Sequence, residues 1–352
     1  MTVIERLQVE LPLFQAPMAG VSTPAMAAAV SNAGALGAIA VGATDAAGAR
    51  KVIASVRELT KRSFVVNVFC HRSPARAATR EAAWIEALRP TFATYGAEPP
   101  KALSESYRSF VDDDAMLALF LETKPPVVSF HFGLPEPALV ARVKALGAKI
   151  LASATTVAEA RWLEAQGVDA IIAQGAEAGG HRGIFLSADL TTQVGTFALV
   201  PQIVQAVQVP VIAAGAIADA QGVAAAMALG ATGVQVGTAY LLCPEATTSA
   251  IHRAALKSEA AEHTALTNLF TGRPARGIVN RIMRELGPIS SVPPAFPLAT
   301  AAIAPLRAQA ESRGLGDFSP LWAGQNVRGC KEIPAAQLTQ ELAAGVSRHS
   351  QA

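Results

Sequence analysis

Cysteine, charge and aromatic side chains are all scarce in this sequence. Cys70, Cys243 and Cys330, the only cysteines in 352 residues, stand far apart and show no CxxC spacing. That pattern excludes a disulfide framework and the common zinc spacings, and it fits a reducing compartment. Charged residues make up 16% of the chain, the net charge is +2, and no basic run occurs. Nucleic acid is therefore not an expected partner. Two catalytic fingerprints are also missing: GxGxxG of the dinucleotide folds and GxSxG of the α/β-hydrolases. The opening MTVIERLQVELPLF carries charges where a signal peptide would have its apolar region. Residues 24–43 are rich in alanine, but Ser31, Asn32 and glycines interrupt them, so no membrane span is expected. The expectation is a soluble, cytoplasmic protein.

What the chain has in quantity is apolar residues, 51% of the total, and glycine. Short continuous apolar runs read as strands buried on both faces. They occur at Leu11–Ala16, Leu36–Val41, Ser63–Phe69, Val127–Phe132, Lys149–Ser153, Asp169–Gln174, Val209–Ala214 and Thr232–Val236. Helical patterns with recognisable starts lie between most of them. Asp45 opens Ala46–Leu59, Thr156 opens Val157–Gln166, Asp219 opens Ala220–Leu229, and Pro137 opens the helix that Gly147 ends. Eight strand–helix units predict a (β/α)8 barrel of the α/β class, with its site at the C-terminal strand ends. An open doubly wound sheet is the competing fold, but it would normally carry GxGxxG after its first strand.

Two segments exceed the repeat. Residues 70–125 are too long for one helix and a loop, and they read as the third helix plus a helical insertion over the barrel mouth. Asp112, Asp113 and Asp114 in that segment read as a solvated helix start more than as a metal site. After residue 240 come helical patterns at Ser249–Ala261 and Ala299–Ser312, broken by Pro293, Pro294 and Pro297. The expected division is a barrel over 1–240 and a mainly helical cap over 241–352, part of which packs back on the barrel.

The stretch QGAEAGGHRG at 174–183 follows the sixth strand and crowds glycines around His181. It reads either as a site, since glycine admits a ligand close to the backbone, or as a tight loop with a solvated histidine. The other strand ends present Ala16-Pro17-Met18, Asn67, His131, Ser153, Gly215 and Gln235-Val236-Gly237-Thr238. No aspartate or glutamate stands among them, so the set is poor in metal ligands; a metal shared by the two histidines is the weaker alternative. Gly215, Gly237 and Thr238 sit where barrels favour phosphate. Asn67 and Gln174 carry amides that suit the edge of a flat heterocycle. Phosphate on one side and amides across the mouth suit flavin mononucleotide (FMN).

APMAG at 16–20, NVFCH at 67–71, SFHFG at 129–133, QGAEAGGHRG at 174–183, AAGAI at 213–217, QVGTAYLLCPE at 235–245 and GDFSPLWAGQ at 316–325 resemble the nitronate monooxygenase family, formerly 2-nitropropane dioxygenases, in its class I form. The resemblance covers nearly the whole chain. It implies a barrel with non-covalent FMN that converts alkyl nitronates and O2 to a carbonyl compound and nitrite, with propionate 3-nitronate as the implied substrate and detoxification as the implied purpose. It implies FMN contacts from Met18, Asn67, Gln174, Gly179, Gly215, Gln235, Gly237 and Thr238, with Ala16, Pro17, Gly180 and Val236 beside them. His181 would face substrate, as base or as positioning group, and His131 would form a second polar wall. The alternative function is an FMN-dependent NAD(P)H:quinone or enoyl-thioester reductase, since related flavin barrels share the glycine–histidine loop. A homodimer is left open. Two departures stand out. Ala216 occupies a position where the family pattern suggests glycine, and Pro297, Ala301 and Pro305 replace expected aromatic and lysine residues.

Overall fold

The computed structural model describes residues 5, 7 and 9–349. Of the charged N-terminal stretch, residues 1–4, 6 and 8 lie outside the described residues.

Eight parallel strands form one sheet: β1 Leu13–Gln15, β2 Gly37–Ala40, β3 Phe64–Phe69, β4 Val127–His131, β5 Lys149–Ala154, β6 Ala170–Gln174, β8 Val211–Ala214 and β9 Gly233–Val236. The short β7, Gly180–His181, belongs elsewhere. Strand order follows the chain from β2 round to β9 and then β1. The ring closes where Phe14 bridges Leu36 in parallel; Gln15 N donates to Leu36 O at 2.9 Å. Side chains such as Phe14, Leu36, Val65, Leu151, Ile172 and Ile212 fill the barrel interior. The opposite strand faces pack on the outer helices through Val66, Val128, Ile150, Ile171 and Val234. Each strand is buried on both sides, which is why the sequence shows continuous apolar runs with no alternation.

The outer helices are α1 Pro24–Asn32, α2 Ala46–Leu59, α5 Pro137–Ala145, α6 Val157–Ala165, α7 Thr196–Ala206 and α8 Ala220–Ala228. Several of their starts are capped by side chains of the preceding residue. Asp45 accepts from Gly48 N at 2.8 Å, Asp219 from Gly222 N at 2.8 Å and Thr156 from Glu159 N at 3.2 Å. Such caps each contribute about 1 kcal/mol.

The 70–125 segment holds α3 Ala78–Tyr95 and α4 Asp114–Thr123. The barrel's own third helix is α4, which packs beside α2; α3 is the insertion. Asp113 caps α4, accepting from Met116 N at 3.0 Å, and it is buried where the sequence suggested a solvated group.

The C-terminal region contains α9 Ala250–Leu256, α10 Arg281–Leu286, α11 Ala299–Ser312 and α12 Ala335–His349. The last of these packs on α8 and α1 and completes the barrel's outer ring. Against the helical expectation, residues 264–278 form two strands, β10 Thr264–Thr267 and β11 Ala275–Ile278. They pair antiparallel with each other, and β11 pairs with β7. The helix reading missed them because their turn residues, Gly272 and Pro274, lie between runs too short to show a period. Insertion and C-terminal region share a core of Trp84, Leu88, Phe92, Leu298, Ile303 and Phe318. Tyr95 Oη ties them further, donating to Asp317 Oδ2 at 2.5 Å. No described helix is long and apolar enough to cross a membrane.

Candidate active site

A cavity of about 380 Å³ opens at the C-terminal strand ends. Its lining brings together Ala16, Pro17, Met18, Asn67, His131, Gln174, Gly179, Gly180, His181, Gly215, Gln235, Gly237 and Thr238. Of the strand-end and glycine-loop residues expected at the site, Val236 alone is missing from the lining; Pro297, Ala301 and Pro305 do not line it either. The Val236 side chain is buried in the apolar layer between strands and helices, because adjacent residues on a strand point to opposite faces. Its carbonyl serves the barrel, accepting from Ala16 N at 2.8 Å.

One end of the cavity is built from main chain. The segments around Gly179, Gly215 and Gly237 meet there, joined by Gly324 and Asn326 from the C-terminal region. Contacts are tight. A Cβ on Gly179 would come within 2.5 Å of Gly324 N, and one on Gly324 would come within 2.8 Å of Glu177 O. Gly324 N donates to Thr238 Oγ1 at 3.0 Å, which leaves the threonine hydroxyl hydrogen for another acceptor. The strap at 324–326 went unread as a ligand-side element, since its partners lie far away in sequence. Ala216 adopts a left-handed backbone, φ 58°, and its carbonyl accepts from Asn326 Nδ2 at 3.0 Å. An alanine there costs about 1 kcal/mol relative to an ordinary conformation.

The glycine–histidine loop is held from behind by two buried arginines. Arg182 is fully buried, and it donates to Gln174 O at 2.7 Å, Gly175 O at 2.6 Å and Gln193 Oε1 at 2.9 Å. Burial lowers its pKa to about 10. Arg276 donates to Ala176 O at 2.9 Å. Three successive loop carbonyls therefore each have a guanidinium donor. Glu177 reaches back to the start of α7, where its carboxylate accepts from Thr196 N and Thr196 Oγ1, both at 2.8 Å. That is a favourable place for a negative charge.

Gln174 lines the cavity but is partly engaged by its own loop. Its Nε2 donates to His181 O at 3.0 Å, and its Oε1 accepts from Gly183 N at 2.7 Å. The amide thus clamps its own loop, and only its second hydrogen and lone pair remain for a ligand. The amides with more to offer are Asn67 and Gln235. Asn67 Nδ2 donates to Ser129 Oγ at 2.8 Å and Ser129 O at 3.1 Å, leaving Oδ1 open. Gln235 lines the cavity with no side-chain hydrogen bond among the described residues.

The histidines form the other end. His131 Nε2 meets His181 O at 3.2 Å, so Nε2 must carry the hydrogen, and Nδ1 accepts from Ser153 Oγ at 3.1 Å. Both nitrogens of His131 are spent on holding the site together. His181 is fixed by backbone pairing of β7 with Ala275 and by Thr271 Oγ1 at 2.9 Å from Nε2. Arg273 O is also within reach of the threonine hydroxyl, at 3.3 Å. A hydroxyl turned to the nearer Nε2 puts the ring hydrogen on Nδ1, and Nδ1–H is then the group left for a ligand. Phe132, Phe296 and Trp322 pack around the His181 ring, with centroids at 5.8, 5.5 and 5.5 Å.

Burial, reinforced by His131, Arg273 and His71, lowers the His181 pKa from 6.5 to about 3. Burial lowers that of His131 to about 4. In its folded surroundings His181 is neutral and a weak base. No cluster of three potential metal ligands occurs among the described residues.

The family model described as nitronate monooxygenase matches residues 2–345. The nitronate monooxygenase of Paraburkholderia phytofirmans is 49% identical over 338 residues, covering 96% of this chain and 92% of the relative. That of Pseudomonas aeruginosa is 46% identical over 337 residues, covering 96% of each. Among solved structures, nitroalkane oxidase from Streptomyces ansochromogenes is similar with a TM-score of 0.89 and 41% identity, over 97% of both chains.

Proposed function

The chain belongs to the nitronate monooxygenase family, and from that premise we propose that it binds FMN and oxidises alkyl nitronates with O2 to a carbonyl compound and nitrite. The observation that carries this reading is the two-ended cavity. A glycine-built cradle with a free hydroxyl hydrogen stands at one end, and a neutral histidine donor among aromatic rings stands at the other.

The residues fit FMN. Gly215, Gly237 and Thr238 would hold its phosphate, with Gly324 closing the cradle. Asn67 Oδ1 and the open amide of Gln235 would meet the polar edge of the ring. When bound, FMN would supply the redox chemistry between nitronate and oxygen. The chain's part is to bind, orient and shield. Nδ1–H of His181 would donate to a nitronate oxygen, while Phe132, Phe296 and Trp322 crowd water from that side. A nitronate is already an anion and needs no base. A histidine held at about 3 suits a donor better than a proton acceptor.

Propionate 3-nitronate is the substrate to test first. Purified holoprotein mixed aerobically with it should consume oxygen and release nitrite. Absence of nitrite, with FMN retained, would overturn the reading.

A further inference from the structure

Arg273 is a charged group near His181 whose chemistry the proposed reaction leaves unused. It lies on the turn between β10 and β11, two residues beyond Thr271, the partner of His181. Its guanidinium stacks over the Phe132 ring, with Cζ 4.0 Å from the centroid. One Nη donates to Ile184 O. Nε is buried with no hydrogen-bond partner, and the side chain forms no ion pair among the described residues. The residue is half-buried, but its Nε is shut off from solvent, and a cation held there without a counter-ion in contact is costly to keep. Burial lowers its pKa to about 10, so it is still charged at neutral pH.

The surroundings balance that charge only in part, through Glu159, which does not pair with it directly. Behind the loop lie the guanidiniums of Arg182, Arg273 and Arg276, and the nearby carboxylates are Glu159 and Glu177. Both carboxylates keep their charge but are anchored away from Arg273 by neutral donors. Glu159 accepts from Thr155 N at 2.7 Å, Thr155 Oγ1 at 2.7 Å, Phe185 N at 2.6 Å and Leu186 N at 3.2 Å. Glu177 caps α7. One positive charge is left over on the histidine side. The cavity lining itself has no carboxylate. Phe132 fixes the arrangement from an unusual backbone, φ 74°, followed by Gly133 at φ 92°. A bulky residue held there marks a built feature more often than an accident. The ring touches both groups: Arg273 lies over its face, and the His181 ring meets it edge-on at 5.8 Å.

We propose that Arg273 is an electrostatic positioning residue whose missing counter-ion is the ligand, so that the histidine end of the cavity accepts one small oxyanion of the nitrite or nitronate type. The inference deepens the nitronate reading and rests on it for the ligand's identity. Charge acts through the low-dielectric ring without direct contact, and a guanidinium so placed attracts an anion more strongly than a surface arginine would. It also opposes protonation of His181, keeping the ring neutral beside the anion.

The test is nitrite titrated into the FMN-loaded protein, followed by flavin difference absorbance and calorimetry, in wild type, Arg273→Met and Arg273→Lys. Arg273→Met should weaken nitrite binding at least about tenfold, and Arg273→Lys by no more than about threefold. FMN content and unfolding temperature report whether the variants are folded. The KM for nitroethane below its own pKa, where it carries no charge, should move little in either. Equal loss in both variants, unchanged affinity in Arg273→Met, or no nitrite binding by wild type would each overturn the proposal. Nitrite release from propionate 3-nitronate by wild type is measured in parallel. Its absence, with nitrite binding still following the charge at 273, sinks the oxidation reading and leaves this one. Turnover with binding indifferent to residue 273 does the reverse.

Discussion

The two ends of the cavity are made from different materials. The cradle end is main chain and glycine, and its ligand-side groups come from strand ends fixed by the barrel. The histidine end is side chains, and every one of its decisive contacts comes from a distant segment. Thr271, Arg273 and Phe296 from the C-terminal region surround His181 and Phe132 from the barrel loops. Backbone amides keep their polarity wherever the chain turns, so the first end depends mainly on shape. The second depends on burial and on a charge balance, both of which appear only when the chain is folded. Shape changes should therefore damage the first end selectively, and charge changes the second.

The largest effect is expected at the cradle. A Cβ on Gly237 would already stand 3.2 Å from Ala16 Cβ and 3.9 Å from Met18 Sδ. Gly237→Val should therefore weaken FMN binding about a hundredfold, the upper range for overpacking a tight site. Fluorescence titration of FMN into apoprotein measures it, and an unchanged affinity would place the phosphate elsewhere.

His181→Asn probes the other end. Losing one oriented donor to a developing charge costs about a hundredfold in turnover. If His181 positions an anion, ethylnitronate turnover should fall by that order, and nitroethane turnover should fall in parallel. A loss confined to nitroethane, the form that must surrender a proton, would restore His181 as a base. FMN content should be untouched.

Acid should unbalance the histidine end first. Burial lowers the pKa of His71, His131 and His252 from 6.5 to about 4 and that of His181 to about 3. The unfolded chain then binds more protons than the folded one at any pH between those values and 6.5. Stability is therefore full above about 6.5 and falls as pH drops, by at most about 1.4 kcal/mol per unit for each group. The unfolding temperature should decline from pH 7 to pH 5, and His131→Asn should flatten that slope. A slope of opposite sign would contradict the burial argument.

Ala216→Gly should do least. It removes about 1 kcal/mol of left-handed strain, offset by the greater freedom of glycine in the unfolded chain. FMN affinity should stay within about threefold of wild type.

Barrel order and cradle were legible in the sequence for one reason: they rest on local patterns. Apolar runs such as Phe64–Phe69 and caps such as Asp45 and Asp219 announce themselves within a few residues. Glycines at 179, 215 and 237 do the same. What could not be read depends on pairing across the chain. The strands at 264–267 and 275–278 exist because β7 offers an edge nearly a hundred residues earlier. Gln174 looked like a ligand group, and it clamps its own loop because Gly183 and His181 turn back onto it. Val236 was grouped with its neighbours, although strand alternation alone argued for the other face. His181 was placed correctly as a residue that lines the cavity, but its weakness as a base follows from burial and from Arg273, neither visible in a glycine-rich stretch.

One mixing experiment bears most directly on the claim that this cavity couples FMN to an anionic nitronate. The FMN-loaded protein is mixed anaerobically with propionate 3-nitronate in one syringe series and with NADH in another, and the flavin absorbance is followed. The account predicts rapid loss of oxidised-flavin absorbance with the nitronate and little or none with NADH, since no dinucleotide fingerprint occurs in the chain. Fast bleaching by NADH with none by the nitronate would contradict it and make the protein a reductase.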